Sequence, residues 1–149
     1  MRVAFKLLRM GSKLPERGTP QSGALDVYAP ESGEIEARSK KLVGLGIAHQ
    51  IEDDGWAANF KLQALLIPRS GLALKKGIRI FFAPCLVDND YRGEIMILIE
   101  NTNDHKFAWL KHERLCQIAY VPMFMGEVVE ALMLDETERG SGGFGSTGK

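Results

Sequence analysis

The sequence predicts an all-β domain, a small jelly-roll-like barrel or sandwich, and two observations support this fold class. Short apolar runs rich in β-branched and aromatic residues recur about every ten to fifteen residues, with Gly, Pro, Asn and Asp between them. No stretch offers ten or more residues of helical periodicity. The chain has 149 residues, 45% of them hydrophobic and 26% charged, which suits one domain with a hydrophobic core.

The predicted elements follow one another with turn residues between them. In chain order the predicted strands are VAFKLL, ALDVYA, KLVGLGIAHQI, WAANFKLQALLI, IRIFFAPCLV, EIMILIEN, KFAWL, LCQIAYVP and VVEALML. The segments AANFKLQALLI and EIMILIEN lack clean alternation, as expected of strands covered on both faces. Turn signals in EDDGW (Glu52–Trp56) and DNDYRGE (Asp88–Glu94) predict hairpins. The segment SGLALKKGI can form two helical turns at most, and Gly77 would end them.

The charge balance narrows the classes of partner. Nineteen acidic residues offset nineteen basic ones, so no overall field attracts DNA, RNA or anionic lipid. The N-terminal segment MRVAFKLLRMGSK has only short apolar runs interrupted by charge, which predicts neither a secretory segment nor a membrane span. We therefore expect a cytoplasmic protein without a nucleic-acid or membrane partner.

Cysteine and histidine give no metal-binding pattern. Cys85 and Cys116 each lie in an apolar run, where a buried free thiol is expected, and two cysteines cannot complete a four-ligand zinc site. His49, His105 and His112 show no ligand spacing with the cysteines or with each other, so we interpret them as structural or surface residues.

The C-terminal stretch RGSGGFGSTGK resembles a phosphate-binding loop in part. Gly143, Gly148 and Lys149 fit the spacing G-x-x-x-x-G-K, but the Ser or Thr that should follow the lysine is absent, as is the helix. Three interpretations are open: a flexible tail, an expression scar, or a phosphate clamp completed by other parts of the protein. Composition favours the flexible tail. We expect a β domain over residues 1–137 and a mobile tail over residues 138–149.

Two polar clusters are not explained by strand patterning. The segment Pro68-Arg69-Ser70-Gly71 follows an apolar strand, and its arginine and glycine suit the binding of an anion. By itself, a simple Arg-Ser-Gly turn is the more common interpretation of such a segment. The segment LVDNDYRGEI brings carboxylates, Tyr91 and Arg92 together at a predicted hairpin. It fits either a solvated turn with a charge ladder or a carboxylate base beside a flat ring.

Taken together and in order, these segments resemble five motifs of the trimeric dUTP pyrophosphatase (dUTPase) family along almost the whole chain. The matching segments are GALDVYA (Gly23–Ala29), PRSGLALKKGI (Pro68–Ile78), VDNDYRGEI (Val87–Ile95), ERLCQIAYVP (Glu113–Pro122) and RGSGGFGSTG (Arg139–Gly148). There are departures. Gly23-Ala24 stands where the family usually has Ala-Gly, and Phe82 and Cys85 stand where it usually has Asn and Gly.

The resemblance implies an enzyme that hydrolyses dUTP to dUMP and pyrophosphate with Mg²⁺, as a homotrimer with shared active sites. By the same resemblance Asp88 deprotonates the attacking water, Tyr91 packs under the deoxyribose and excludes a 2′-hydroxyl, and Asp26 holds Mg²⁺ through water molecules. Because aspartate is a weak base, positioning must supply much of the rate.

The resemblance also implies the remaining substrate contacts and leaves two alternatives open. Substrate-binding residues in the body of the domain would be Arg69, Ser70, Gly71, Phe82, Leu86, Val87, Asp88, Tyr91, Met96 and Gln117. In the tail, Phe144 would stack on the uracil and Arg139, Gly145, Ser146 and Thr147 would reach the phosphates. The alternatives are a related dCTP deaminase and a non-catalytic nucleotide-sensing regulatory protein.

Overall fold

The computed structural model describes residues 2–52 and 59–143, which form twelve strands and one short helix. The all-β prediction is confirmed. The elements are β1 (Arg2–Leu7), β2 (Glu16–Arg17), β3 (Leu25–Tyr28), β4 (Gly33–Ile35), β5 (Lys40–Gly44), β6 (Ile47–Glu52), β7 (Phe60–Pro68), α1 (Ser70–Lys76), β8 (Ile78–Ile80), β9 (Cys85–Val87), β10 (Met96–Asn101), β11 (Phe107–Trp109) and β12 (Arg114–Phe124).

The strands form four antiparallel groups. The largest sheet has the order β2-β3-β12-β7-β9, and a second sheet has the order β5-β10-β8. Two further pairs, β1-β6 and β11-β4, complete the fold. The long strand β12 pairs with β7 over nine positions, from Cys116 opposite Pro68 to Phe124 opposite Phe60, and with β3 on its other side. This central position of β12 lets side chains from three neighbouring strands meet.

The core lies between the sheets and consists mainly of branched aliphatic side chains. Strand β10 contributes Ile97 and Ile99, while its intervening residues are only half-buried, so this strand alternates instead of being covered on both faces. In β7 the neighbouring residues Gln63 and Ala64 are both buried, so both faces are covered there. Cys116 is a buried free thiol as predicted, whereas Cys85 is only half-buried. Burial raises the pKa of both thiols.

The helix α1 has the length and the end that the sequence predicts. Gly77 lies just beyond it with φ of 62°, and its N–H donates to the main-chain oxygen of Leu72. A side chain at this position would also collide, because a Cβ would lie 2.5 Å from Oδ1 of Asn103. In the described part of the chain no helix has the length and apolarity needed to cross a membrane.

Neither segment with hairpin turn signals joins two strands that pair with each other. The Asp88–Glu94 segment contains a turn, since the amide of Tyr91 donates to the main-chain oxygen of Asp88 at 3.1 Å. However, β9 pairs with β7 while β10 pairs with β5 and β8, so this turn carries the chain between two sheets. Part of the Glu52–Trp56 segment lies outside the described residues. The strands β6 and β7 on either side of it pair with β1, and with β12 and β9, respectively.

The prediction of a strand for VVEALML is wrong. After β12 ends at Phe124, residues 127–134 form no strand, and their apolar side chains are exposed, with Leu132 at 98%. The apolar pattern predicts a strand, but a strand also needs a neighbour for its backbone hydrogen bonds. Residues 138–143 are likewise outside any strand.

Candidate active site

The buried carboxylate of Asp26 is the centre of a polar cluster on the large sheet. Its Oδ1 accepts from Nε of Arg69 at 3.1 Å and from Nε2 of Gln117 at 3.2 Å, and its Oδ2 accepts from Nη1 of Arg114 at 3.1 Å. The side chain of Asp26 is only 6% exposed, whereas those of Arg69 and Arg114 are 25% and 49% exposed. A carboxylate buried to this degree needs such partners.

The strand register explains why these residues meet. Asp26 on β3 lies opposite Gln117 on β12, and Gln117 lies opposite Ile67 on β7. Arg69 follows the end of β7 and therefore lies at the same edge. Arg114 begins β12, where the pairing with β3 shifts by one residue between Arg114 and Cys116. Residues from three strands that are far apart in sequence thus form one cluster.

The cluster carries excess positive charge and opens into a cleft. Two guanidinium groups face one carboxylate, so the local balance favours an anion. The adjoining cleft has a volume of about 570 Å³ and is also lined by Lys76, His112 and Glu113, so its cationic side chains still outnumber its carboxylates. Ser70 and Gly71 begin α1 beside Arg69, and a Cβ on Gly71 would meet no atom within 4 Å, so the backbone there is open to a ligand. The arrangement can therefore bind a polyanion.

Asp88 lies at a second place on the same sheet, in the turn that follows β9. Its side chain is exposed and lines a cleft of about 630 Å³ together with Gln63, Asn89 and Arg92. The amide of Asn89 donates to Oε1 of Gln63 at 2.6 Å, and Nη1 of Arg92 donates to the main-chain oxygen of Asn89 at 2.5 Å. The turn that carries Asp88 is thus bonded both within itself and to β7.

Tyr91 ends the same turn and is held by its hydroxyl group. The hydroxyl donates to the main-chain oxygen of Glu94 at 3.0 Å, and the ring is otherwise exposed. The carboxylate of Glu94 accepts from Arg9 at 2.7 Å and from the amide of Gly46 at 2.7 Å. This chain of bonds fixes the ring, which remains 44% exposed.

Within one chain Asp88 does not meet the Asp26 cluster. Asp26 is on β3 and Asp88 follows β9, three strand positions away in the order β3-β12-β7-β9. At about 4.8 Å per strand this is roughly 14 Å across the sheet. The register adds an offset along the strands, because Gln117 is opposite Ile67 whereas Val87 is opposite Ala64. One copy therefore presents two separate parts of the predicted site.

The other predicted site residues are more scattered. Phe82, Leu86 and Met96 have exposed side chains, while Val87 is buried at the end of the β9 ladder. Met96 faces a different cleft, which it shares with Arg9 and Trp109. Arg139 is exposed and its main-chain oxygen accepts from Gly142. The predicted contacts Phe144, Gly145, Ser146 and Thr147 lie outside the described residues.

Two buried polar residues lie near Asp88; sequence patterns do not single out Gln63 and give His49 only a structural or surface role. Gln63 contacts the turn of Asp88, and His49 on β6 has Nδ1 3.1 Å from the hydroxyl of Tyr120. In the part of the chain that the structure describes, Nε2 of His49 has no hydrogen-bond partner. Burial lowers the pKa of His49. The main-chain carbonyl of Asp88 raises this pKa by less, and the positive charge of Arg92 lowers it. The available signal was a polar residue within an apolar strand.

The described residues contain no group of three or more His, Cys, Asp or Glu side chains that could hold a metal ion. Both carboxylate oxygens of Asp26 accept hydrogen bonds from neighbouring side chains. Mg²⁺ commonly keeps several waters and uses substrate phosphates as ligands. A single carboxylate fits that mode of binding, through water, better than direct coordination.

Comparisons with known proteins agree on one family. A family model described as dUTPase matches residues 11–148. The deoxyuridine 5'-triphosphate nucleotidohydrolase of Nautilia profundicola is 38% identical over 149 residues, which is 100% of each chain. A dUTPase of Staphylococcus bacteriophage 80alpha, solved with dUPNHPP, has a TM-score of 0.85 at 24% identity over 99% of both chains.

A second solved structure supports the same fold. It is a mutant DUTPase from phage phi11 of S. aureus, described as revealing the coordination of a structural Mg(II) ion, with a TM-score of 0.79 at 18% identity. It covers 91% of this chain and 100% of its own. Because the family model and the full-length relative span nearly every residue, the chain belongs to the dUTPase family.

Proposed function

We propose that the chain hydrolyses dUTP to dUMP and pyrophosphate, with the Asp26 cluster at the phosphates and Asp88 as the base. Membership in the dUTPase family supports the reaction. The observation that carries the assignment of residues is the excess positive charge around Asp26, where Arg69 and Arg114 face one carboxylate. This reaction would remove dUTP from the nucleotide pool and supply dUMP as a precursor of dTTP.

In the proposed reaction Asp88 accepts a proton from a water molecule while the water oxygen attacks the α-phosphorus. The bond from the α-phosphorus to the oxygen that bridges to the β-phosphorus then breaks, and pyrophosphate leaves. Arg69 and Gln117 would contact the phosphate oxygens, together with the backbone at Ser70 and Gly71. Asp26 would hold Mg²⁺ through water, and the ion would neutralise charge on the phosphates.

We assign selection of the nucleoside to the segment around β9 and to Tyr91. The ring of Tyr91, fixed by its bond to Glu94, would pack against the deoxyribose and leave no room for a 2′-hydroxyl. Phe82, Leu86 and Val87 would surround the base, and Met96, which lines a different cleft of the same chain, would approach it from β10.

The tail would complete the site, with Phe144 stacked on the uracil. Arg139, Gly145, Ser146 and Thr147 would lie at the phosphates. Stacking of an aromatic ring on a base contributes roughly 1–3 kcal/mol in single-strand binders, so the loss of this contact would be measurable.

We further propose a homotrimer in which neighbouring copies share the active sites. Two observations support it: Asp88 and the Asp26 cluster are separate within one chain, and residues 127–134 expose their apolar side chains. Exposed apolar surface of this kind commonly marks contacts between proteins. Sedimentation of a fully active monomer would overturn this proposal. The balanced charge supports the absence of a nucleic-acid or anionic-lipid partner. We also propose a cytoplasmic location.

Family membership favours dUTP hydrolysis over a dCTP deaminase or a non-catalytic nucleotide-sensing regulator. The test of the assignment is Asp88→Asn, a nearly isosteric change that removes the base. We expect dUTP binding to persist and turnover to fall by about two orders of magnitude or more, the scale of a lost general base. Pyrophosphate release and ammonia release should be measured from both dUTP and dCTP. Turnover within a few-fold of the parent would rule out Asp88 as the base.

A further inference from the structure

Gln63 is a buried amide in a mainly apolar strand, and its side chain reaches the turn that carries Asp88. It lies in β7, is 6% exposed, and alternates in direction with Ala64 and Leu66, which belong to the hydrophobic core. Its Oε1 accepts from the amide of Asn89 at 2.6 Å. A buried polar side chain is costly unless it is hydrogen-bonded, so this bond accounts for a polar residue here.

The bond replaces a rung of the sheet. The pairing of β7 with β9 ends with Ala64 opposite Val87, so Gln63 and Asp88 occupy the next position. There the chain leaves the sheet for the turn, and the side-chain oxygen of Gln63 takes the place of a main-chain acceptor. The amide of Asn89 is thereby bonded to Gln63 of β7, the residue next to the last backbone pair of that strand.

Other bonds of the turn lie within it and keep its shape. The amide of Tyr91 donates to the main-chain oxygen of Asp88 at 3.1 Å, and Arg92 donates to the main-chain oxygen of Asn89 at 2.5 Å. Neither bond joins the turn to the sheet. The Gln63 bond does, because it comes from the buried part of β7.

We propose that Gln63 is a positioning residue that holds the Asp88 carboxylate at the reacting water, an inference that rests on the proposed function. A weak base such as aspartate depends on its placement, and a displacement of about 1 Å can cost roughly a hundredfold in rate. In this role Gln63 acts through the turn that carries Asp88 and not directly on the substrate. Its loss lowers kcat and leaves KM nearly unchanged, because the phosphate-binding cluster lies elsewhere on the sheet and the Tyr91 ring keeps its own bond to Glu94.

The bond can be removed from either side. Gln63→Met keeps the length of the side chain and removes the acceptor. Asn89→Pro removes the donor, and Asn89 is the first central residue of the turn closed by Asp88 and Tyr91, a position that favours proline. Gln63→Glu keeps an acceptor oxygen, and Gln50→Met makes the same change at an exposed glutamine of β6.

The experiment measures kcat and KM for dUTP with Mg²⁺ in these variants and in the double variant Gln63→Met with Asn89→Pro. We expect each single change to lower kcat about tenfold or more with KM within about twofold, and the double variant to lose little more than one of them. Gln63→Glu should retain much of the parent kcat because it keeps an acceptor oxygen. The acid limb of its pH profile should lie at higher pH, because a second carboxylate nearby disfavours the ionised form of Asp88. Gln50→Met should match the parent.

Two results would overturn the inference, and they differ in what they say about the proposed function. A folded Asn89→Pro or Gln63→Met protein with the parent kcat, alongside an inactive Asp88→Asn protein, removes the role of Gln63 and leaves Asp88 as the base. An Asp88→Asn protein with parental turnover rules out both the role of Gln63 and the assignment of Asp88 as the base. If Gln63→Met does not fold, Asn89→Pro still decides the question because the backbone oxygen that Arg92 contacts is retained.

Discussion

The Asp26 cluster can be tested by removing a single charge. Asp26→Asn keeps the size of the side chain and replaces a carboxylate that accepts from Arg69, Arg114 and Gln117. The amide has one acceptor oxygen where the carboxylate has two, and its NH₂ group faces donors. The two guanidinium groups also lose their counter-charge, so the variant should be less stable.

The exposure of the Arg69 and Arg114 side chains determines how much the free energy of unfolding decreases in Asp26→Asn. Breaking a fully buried ion pair by removing one partner costs about 3–5 kcal/mol, and breaking an exposed pair costs about 0–1 kcal/mol. Asp26 is buried, but Arg69 is 25% and Arg114 49% exposed, so water compensates both arginines in part. We therefore expect a loss of roughly 1–3 kcal/mol. For a domain of this size that lowers Tm by about 2–10 °C.

The chain offers a matched control for this measurement. Asp104 pairs with Arg38 at 2.6 Å, but its side chain is 83% exposed. Asp104→Asn should change the free energy of unfolding by about 0.5 kcal/mol or less. Both variants should be unfolded at one protein concentration, because the stability of an oligomer depends on concentration. An equal decrease in the free energy of unfolding in the two variants would refute the argument that burial makes the Asp26 cluster contribute more to stability than an exposed ion pair.

Three further predictions concern the sugar pocket, a buried histidine and the tail. Tyr91→Ala should admit UTP by removing the steric check, and an unchanged preference for dUTP over UTP would contradict this. The folded state lowers the pKa of His49, so the parent should lose stability as pH falls below about 6.5, where only the unfolded state binds the proton. His49→Gln should flatten that part of the curve of unfolding free energy against pH, and an equally steep parent and variant would exclude His49 as the cause. Deleting residues 138–149 should leave Tm nearly unchanged but impair dUTP turnover, and Phe144→Ala should reproduce part of that loss; a truncated protein with normal activity would show that the tail is dispensable.

Local sequence patterns were sufficient for the elements whose form depends on nearby residues. The helix over Ser70–Lys76 ends at Gly77 because a left-handed conformation is required there, and glycine meets that requirement at little cost. The all-β class follows from the spacing of short apolar runs between turn residues. The strand predicted for VVEALML failed for the complementary reason, since a strand needs a neighbour and the described chain offers none there.

The fold class, the order of the motifs and the identity of the charged residues can be read from the sequence, because these depend on composition, periodicity and local turn chemistry. Which of those residues meet depends on the tertiary structure. The register of β12 with β3 and β7 brings Asp26, Gln117 and Arg69 together across about ninety residues of sequence. The strand order keeps Asp88 apart from them, because it follows β9 at the edge of the sheet. The pairing of β7 with β9 makes Gln63 a partner of the Asp88 turn. Pairing between distant strands follows from the packing of the whole chain, and no local pattern encodes it.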